Sequence, residues 1–346
     1  MAYPNGRLFL NVQMPRFNKN IKIFFNYIFG PALFTWLAIS IYHQVKNQPN
    51  LELSWKKIKD AVRGEQWWMF WVVFLLMFVN WGVEARKWQL LLKPVERMSW
   101  SKAFKAILTG VAFAINTPNR IGEYGGRILY VSSGNRIKAL SLTVVGSMSQ
   151  FLVTLFSGCG GLLFLLNMPP SATSIAKGQS YLFWIEVMLY LVIAVCFVGL
   201  LIYFRLSWIV KLIEKVPVFS KFALHIAVLG DLNRVILIRV LSLSVTRYLV
   251  FVIQFVVMIK LMQVEVTVWQ AFWLVSVVFL VLAFVPTIAL VEIGLRGKVS
   301  LELFGLLSAN NVGIIAATIG IWSINLVVPA LLGSLLILGL KIFRNK

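Results

Sequence analysis

A chain of 346 residues is long enough for two or three soluble domains, but 60% of it is hydrophobic and only 13% is charged. With a mean hydropathy of +0.84, a soluble fold cannot hide that much apolar surface, and the chain reads as an all-α polytopic membrane protein. Lysine and arginine (33) exceed aspartate and glutamate (12), for a net charge of +21; the cations cluster beside apolar runs, as topology signals and anionic-lipid contacts do, which argues against a nucleic-acid partner.

The first span-length run, Ile21 to Tyr42, follows Arg7, Arg16, Lys19 and Lys22 with no acidic residue before it. That places the N-terminus in the cytoplasm. It has no small-residue cleavage site and reads as a retained helix. The loop LELSWKKIKDAVRG should then be external despite Lys56, Lys57, Lys59 and Arg63, and Leu51, Leu53, Trp55, Ile58 and Val62 suit an amphipathic helix on the outer face. Trp67 to Leu92 returns inward to a stretch, Arg86 to Lys105, with six basic residues against Glu96 alone. Glu84 and Arg86 at its inner end are expected to snorkel to the interface. Ile137 to Leu166 goes out, Tyr181 to Phe204 comes back, and a basic amphipathic segment occupies the inner leaflet between Arg205 and Arg247. Val240 to Met262 crosses again, and Val312 to Leu340 ends at Lys341, Arg344 and Lys346, with the C-terminus inside. About six full transmembrane helices result.

Two further apolar stretches are interrupted, and they resemble each other. Phe104 leads after fourteen residues to Pro118, and Phe272 after fourteen to Pro286; glutamate-x-glycine-x-arginine follows each time, as Glu123, Gly125, Arg127 and as Glu292, Gly294, Arg296. The offset between the phenylalanines, 168 residues, is nearly half the chain. This predicts a single membrane domain, residues 1–346, with a first repeat over about 67–166 and a second over about 240–341. An apolar run, a proline break and a charged second run describe a re-entrant hairpin of two broken helices; entering from opposite sides, the two hairpins form an inverted repeat of the transporter kind.

A charge at the bilayer centre costs about 2.5–3.5 kcal/mol on insertion scales, so those retained there usually have a use. Spacing of four pairs Glu123 with Arg127 and Glu292 with Arg296, either as structural ion pairs or as part of a ligand site. Half-helix N-termini near Pro118 to Gly122 and Pro286 to Val291 would add partial positive charge for an anionic group. Arg120 has no acid four residues on, and so is the cation most available to a ligand. Gly122, Gly125 and Gly126 permit close backbone approach, toward a ligand or a neighbouring helix. Glu186 and Glu302, beside apolar runs, are candidate protonatable groups, partners of an intramembrane arginine or interfacial acids. His43 and His225 are the only histidines and Cys159 and Cys196 the only cysteines, so neither a metal centre nor a cofactor is expected; both cysteines lie in apolar runs and read as small hydrophobes.

The run Pro118-Asn119-Arg120-Ile121-Gly122-Glu123 with Arg127, after Arg86 and Trp88, resembles the membrane domain of lysylphosphatidylglycerol synthases and the broader flippase-like integral membrane family related to it. The similarity extends from about Leu51 to Lys341. The second motif departs from it, with Thr287, Ile288 and Ala289 where a glycine pair is expected. The resemblance implies movement of a lipid between leaflets of a bacterial inner (plasma) membrane, with Pro118, Arg120, Gly122, Glu123 and Arg127 lining a headgroup cavity. Some members carry a C-terminal aminoacyl-transferase domain; with the sequence ending at Lys346, that activity is not expected of this chain. The implied partner is a membrane phospholipid or polyprenyl-phosphate lipid. Two alternatives stay open: an enzyme acting on a lipid-linked substrate with Glu123 or Glu292 as general acid or base, and a non-catalytic partner of a separately encoded lipid synthase.

Overall fold

The computed structural model describes residues 63–338, with a few isolated positions before them, except 116, 118–119, 169–171, 209, 211–225 and 286–288. The expected first span, the outer amphipathic helix, the middle of the inner-leaflet segment and both break prolines, Pro118 and Pro286, lie outside the described residues or largely so. Within them the protein is all-α and no strand is present.

The elements in chain order are α1 (Trp67–Leu92), α2 (Trp100–Ile115), α3 (Gly122–Ile128), α4 (Arg136–Leu166), α5 (Ala172–Phe204), α6 (Arg234–Leu261), α7 (Val268–Phe284), α8 (Ala289–Phe304), α9 (Asn311–Trp322) and α10 (Val328–Leu338). A π-helical turn, Ser323–Val327, joins α9 to α10. Five segments are long and apolar enough to cross a membrane: Trp67–Leu92, Ser133–Leu166, Leu182–Phe204, Arg234–Leu261 and Asn311–Ile337. They match five of the six expected spans, and the protein is a multi-pass membrane protein. At 1.5 Å per residue a bilayer core of about 30 Å needs about 20 residues. The 16 residues of α2, 17 of α7 and 16 of α8 fall short of that, and α3 has only seven. Helix α2 ends at Ile115 and α7 at Phe284, each shortly before the position of a motif proline.

Packing gathers the helices around α1 and α6, which lie against each other; α10 packs on α2, α7 on α4, and α3 on α2. Small residues set the closest approaches. A Cβ on Gly126 would stand 2.6 Å from the Gly110 Cα, so α3 and α2 meet backbone to backbone. A Cβ on Gly333 would stand 2.0 Å from the Leu108 carbonyl oxygen, so α10 and α2 do the same. Interfaces of this kind drive helix association in lipid, where apolar surface gains nothing by leaving the acyl chains. The span Leu182–Phe204 is the most apolar, with a mean hydropathy of 2.8, and the least buried within the protein; Phe183, Tyr190, Leu191 and Phe197 stand exposed on it, as expected of a helix facing lipid.

Polar side chains tie the interior. The Trp88 indole N–H donates to Thr143 Oγ1 (3.0 Å), the Tyr248 hydroxyl to Ser276 Oγ (2.7 Å), the Tyr203 hydroxyl to the Leu237 carbonyl (2.9 Å) and Gln254 Nε2 to the Val73 carbonyl (2.8 Å). Helix starts are capped as their sequences direct. Asn233 Oδ1 accepts from the Ile236 N–H, and Thr267 and Gln270 form a reciprocal capping box. Asn310 accepts from the Gly313 N–H while its Nδ2 donates to the Met262 and Gln263 carbonyls, pinning the start of α9 to the end of α6.

Candidate functional site

Charge in the interior falls into two clusters that border one cavity. The first centres on Glu84 of α1, which is 3% exposed. Its carboxylate lies 2.7 Å from Lys87 Nζ, 3.0 Å from Arg127 Nη2 and 3.2 Å from Arg247 Nη1, so one acid holds cations from α1, α3 and α6. Arg127 also pairs with Glu123, as the spacing of four predicts. Lys87 Nζ donates further to the Gly146 carbonyl and to Ser244 Oγ, each at 3.3 Å. The expectation that Glu84 snorkels to the interface is thus corrected. Lys87 of its own helix and Arg127 and Arg247 from α3 and α6 compensate its buried charge where it stands, and breaking such a network costs more than leaving it in place.

The second cluster centres on Glu292 of α8. Arg296, four residues on, donates to it at 2.8 Å, and Arg120 from the α2–α3 connection reaches it at 3.2 Å. Arg120 is therefore not the unpaired cation the local sequence suggested; its acid comes from the other half of the chain. Its backbone is unusual at this point. With φ 57° it sits in the left-handed region, which costs a non-glycine residue about 1–3 kcal/mol and persists where surrounding structure holds it.

Between the clusters lies a cavity of about 170 Å³ lined by Trp81, Arg120, Gln150, Thr154, Arg247, Tyr248, Phe251, Phe279, Arg296, Trp322, Asn325 and Leu326. Three guanidinium groups face it, and no carboxylate is among its described lining residues. Arg247 stands over the Trp81 ring (5.0 Å) and Arg296 over the Phe279 ring (5.8 Å). Such stacking favours a desolvated guanidinium by about 2 kcal/mol. Asn80 fixes Arg247 by accepting from its Nε at 3.0 Å, and donates to Asn325 Oδ1 at 3.3 Å. Asn325 belongs to the π-helical turn, a distortion frequent at functional sites.

Of the residues singled out from sequence, Arg120 and Arg296 line the cavity. Glu292 lies behind them as their shared counter-ion, while Arg127 and Glu123 belong to the Glu84 network. Gly122 meets protein instead of a ligand: a Cβ there would stand 2.2 Å from the Phe113 carbonyl oxygen, and its N–H donates to Thr117 Oγ1 at 2.8 Å. That bond takes up the first donor of α3, which the half-helix argument had offered to an anion. Gly125 faces open space, Gly294 lies within α8, and Glu302 pairs with Lys298 at 3.0 Å. No group of three or more metal-ligating side chains occurs among the described residues.

Sequence reasoning missed Lys87, Arg247, Trp81, Gln150 and Asn325. Arg247 carried a readable signal: α6 contains no acidic residue over its 28 residues, so a cation in its middle must find its anion on another helix.

No curated protein matches the chain. Residues 28–333 match the family model described as the lysylphosphatidylglycerol synthase TM region. This covers most of the sequence, and the chain belongs to that family.

Proposed function

We propose that the protein is a translocase that moves an anionic lipid headgroup between the leaflets of a bacterial inner membrane, with both termini cytoplasmic. In this reading α2 with α3 and α7 with α8 are two re-entrant hairpins of an inverted repeat, and the headgroup passes the hydrocarbon in the cavity beside them. The observation that carries the proposal is the cavity's one-sided lining: three guanidiniums from the α2–α3 connection, α6 and α8, with aromatic rings and no carboxylate among its described lining residues. An anion is solvated there by cations already held in place, which lowers the cost of taking it out of water. Two reciprocal contacts support the repeat. α10 packs on α2 where α7 packs on α4, and exchanging the halves of the chain exchanges one contact for the other.

An enzymatic role for Glu123 or Glu292 finds less support. Each carboxylate is engaged by one or two guanidiniums, so its oxygens are already taken as acceptors within the protein. The test is dithionite quenching of fluorescent lipids in proteoliposomes. Labelled anionic lipid should exchange between leaflets faster than in protein-free vesicles and faster than a zwitterionic lipid, and Arg247→Gln should slow that exchange about tenfold. Folded protein that accelerates no lipid would overturn the proposal.

A further inference from the structure

We infer that the cavity is built for a terminal phosphomonoester, the doubly charged end of a lipid phosphate, in preference to a phosphodiester or a headgroup carrying a cation. The inference rests on the translocase reading for the site, and deepens it by naming the ligand chemistry.

Charge is the first argument. The two clusters contain Lys87, Arg120, Arg127, Arg247 and Arg296 against Glu84, Glu123 and Glu292. Five cations and three carboxylates leave two positive charges in an interior that hydrocarbon surrounds. A phosphomonoester above its second pKa, near 6, carries two negative charges, whereas a phosphodiester carries one. The excess lies on the cavity side, since all three guanidiniums that reach the lining are there and the carboxylates lie behind them. A single dianion neutralises it, whereas a single monoanion leaves one positive charge over.

Unpaired donors are the second argument. Three N–H groups of lining residues, on Trp81 Nε1, Arg296 Nε and Trp322 Nε1, have no hydrogen-bond partner among the described residues. Trp81 and Arg296 are 3% and 8% exposed, and a buried donor without a partner costs about 1–3 kcal/mol. A monoester presents three terminal oxygens, each able to accept more than one bond, to the three lining guanidiniums; a diester presents two. The cavity's roughly 170 Å³ admits a phosphate with accompanying water.

The third argument is exclusion. An ammonium or trimethylammonium group in this cavity would meet three guanidiniums and no carboxylate among the described lining residues. Arginines already occupy a face of the Trp81 and Phe279 rings that might otherwise receive it. Like charges in a low-dielectric site are a strong element of discrimination.

The experiment measures binding to the full chain in detergent by calorimetry, independently of transport, with dioctanoyl phosphatidate, dioctanoyl phosphatidylglycerol and inorganic phosphate at pH 8 and pH 5. Phosphatidate should bind about tenfold or more tightly than phosphatidylglycerol at pH 8, and the advantage should shrink to about threefold or less at pH 5, where the monoester loses its second charge. Arg120→Gln should reduce the selectivity at pH 8. Trp322→Phe, which keeps the ring and removes one donor, should weaken phosphatidate about threefold and gives a second route if the arginine variant does not fold. Equal affinity of the two lipids at pH 8 overturns the inference, and would do so while leaving a translocase of phosphodiester lipids intact. Inorganic phosphate binding as tightly as phosphatidate also overturns it, making free phosphate the ligand. Selective phosphatidate binding with no leaflet exchange upholds the phosphomonoester site and removes the translocase reading instead.

Discussion

The α2–α3 and α7–α8 regions carry the same glutamate-x-glycine-x-arginine spelling and put it to different uses. In α3 the pair Glu123–Arg127 is drawn toward Glu84, and the Arg127 side chain is 5% exposed. In α8 the pair Glu292–Arg296 has no such anchor behind it, and Arg296 faces the cavity while Arg120 arrives from the first region to share its acid. Spacing of four settles that a local pair forms. The next charge along decides whether its arginine is tied into a buried network or faces the cavity.

The largest effect should come from removing the acid on which the first region depends. Glu84→Ala leaves Lys87, Arg127 and Arg247 without their common anion in a buried site. Such losses cost about 3–5 kcal/mol, so thermal unfolding in detergent should show a collapse of stability and the yield of folded protein should fall. A stability within about 1 kcal/mol of the parent would mean that the cluster is hydrated and that its burial is not what holds the helices.

Next in size is the contrast between the two arginines. Arg127→Gln should destabilise by about 2–4 kcal/mol, because Glu84 and Glu123 both lose a partner. Arg296→Gln should cost less, since Arg120 remains on Glu292, but should weaken anion binding about tenfold. Measuring unfolding and binding on both variants separates tie from ligand group. The same profile for both would erase the distinction drawn between the regions.

The span positions were legible because hydropathy over twenty residues is a local property. Trp67–Leu92 is observed as read, and Tyr181 to Phe204 ends where α5 ends, although α5 begins nine residues earlier, at Ala172. The span expected from Val240 belongs to a helix that begins at Arg234, because Arg234 and Arg239 also suit a basic amphipathic segment on the inner leaflet, although Asn233 is a readable cap for a helix beginning there. The two ion pairs of the repeated motif were also legible, both halves lying on one helical turn. What could not be read was Glu84 with Arg127 and Arg247, or Arg120 with Glu292, which are 172 residues apart. Such pairs exist only once α1, α3, α6 and α8 are packed, and a glutamate near a span end has the same local sequence whether it snorkels or is buried. The π-helical turn that carries Asn325 left no trace in the hydropathy pattern either.

A smaller contrast lies inside the first region, between adjacent glycines. Gly126→Ala drives a methyl group against the Gly110 backbone and should cost about 1–3 kcal/mol, as overpacking does. Gly125→Ala meets nothing within 4 Å and should be neutral or stabilise α3 by up to about 1 kcal/mol through helix propensity. If binding nevertheless fails in Gly125→Ala while unfolding is unchanged, a ligand approaches that backbone.

The smallest expected effect lies outside the spans, in the connection between α1 and α2. Ser132 donates to Glu96 from its hydroxyl at 2.6 Å and from its N–H at 3.0 Å, and Lys102 stands 3.6 Å away. The Ser132 hydroxyl is the main reason that the Glu96 carboxyl is held below the ordinary carboxylate range, burial opposing it. A folded-state pKa below the unfolded value, about 4.3, means stability that is fully present above that value and lost as pH falls through the folded one. The side chain is part exposed and solvent screens it, so the change should be modest: the unfolding temperature of the parent should drop below about pH 4, and that of Ser132→Ala should start slightly lower and drop less over the same interval. Parallel curves for parent and variant would assign the acid sensitivity to carboxylates other than Glu96 and leave this connection without a part in it.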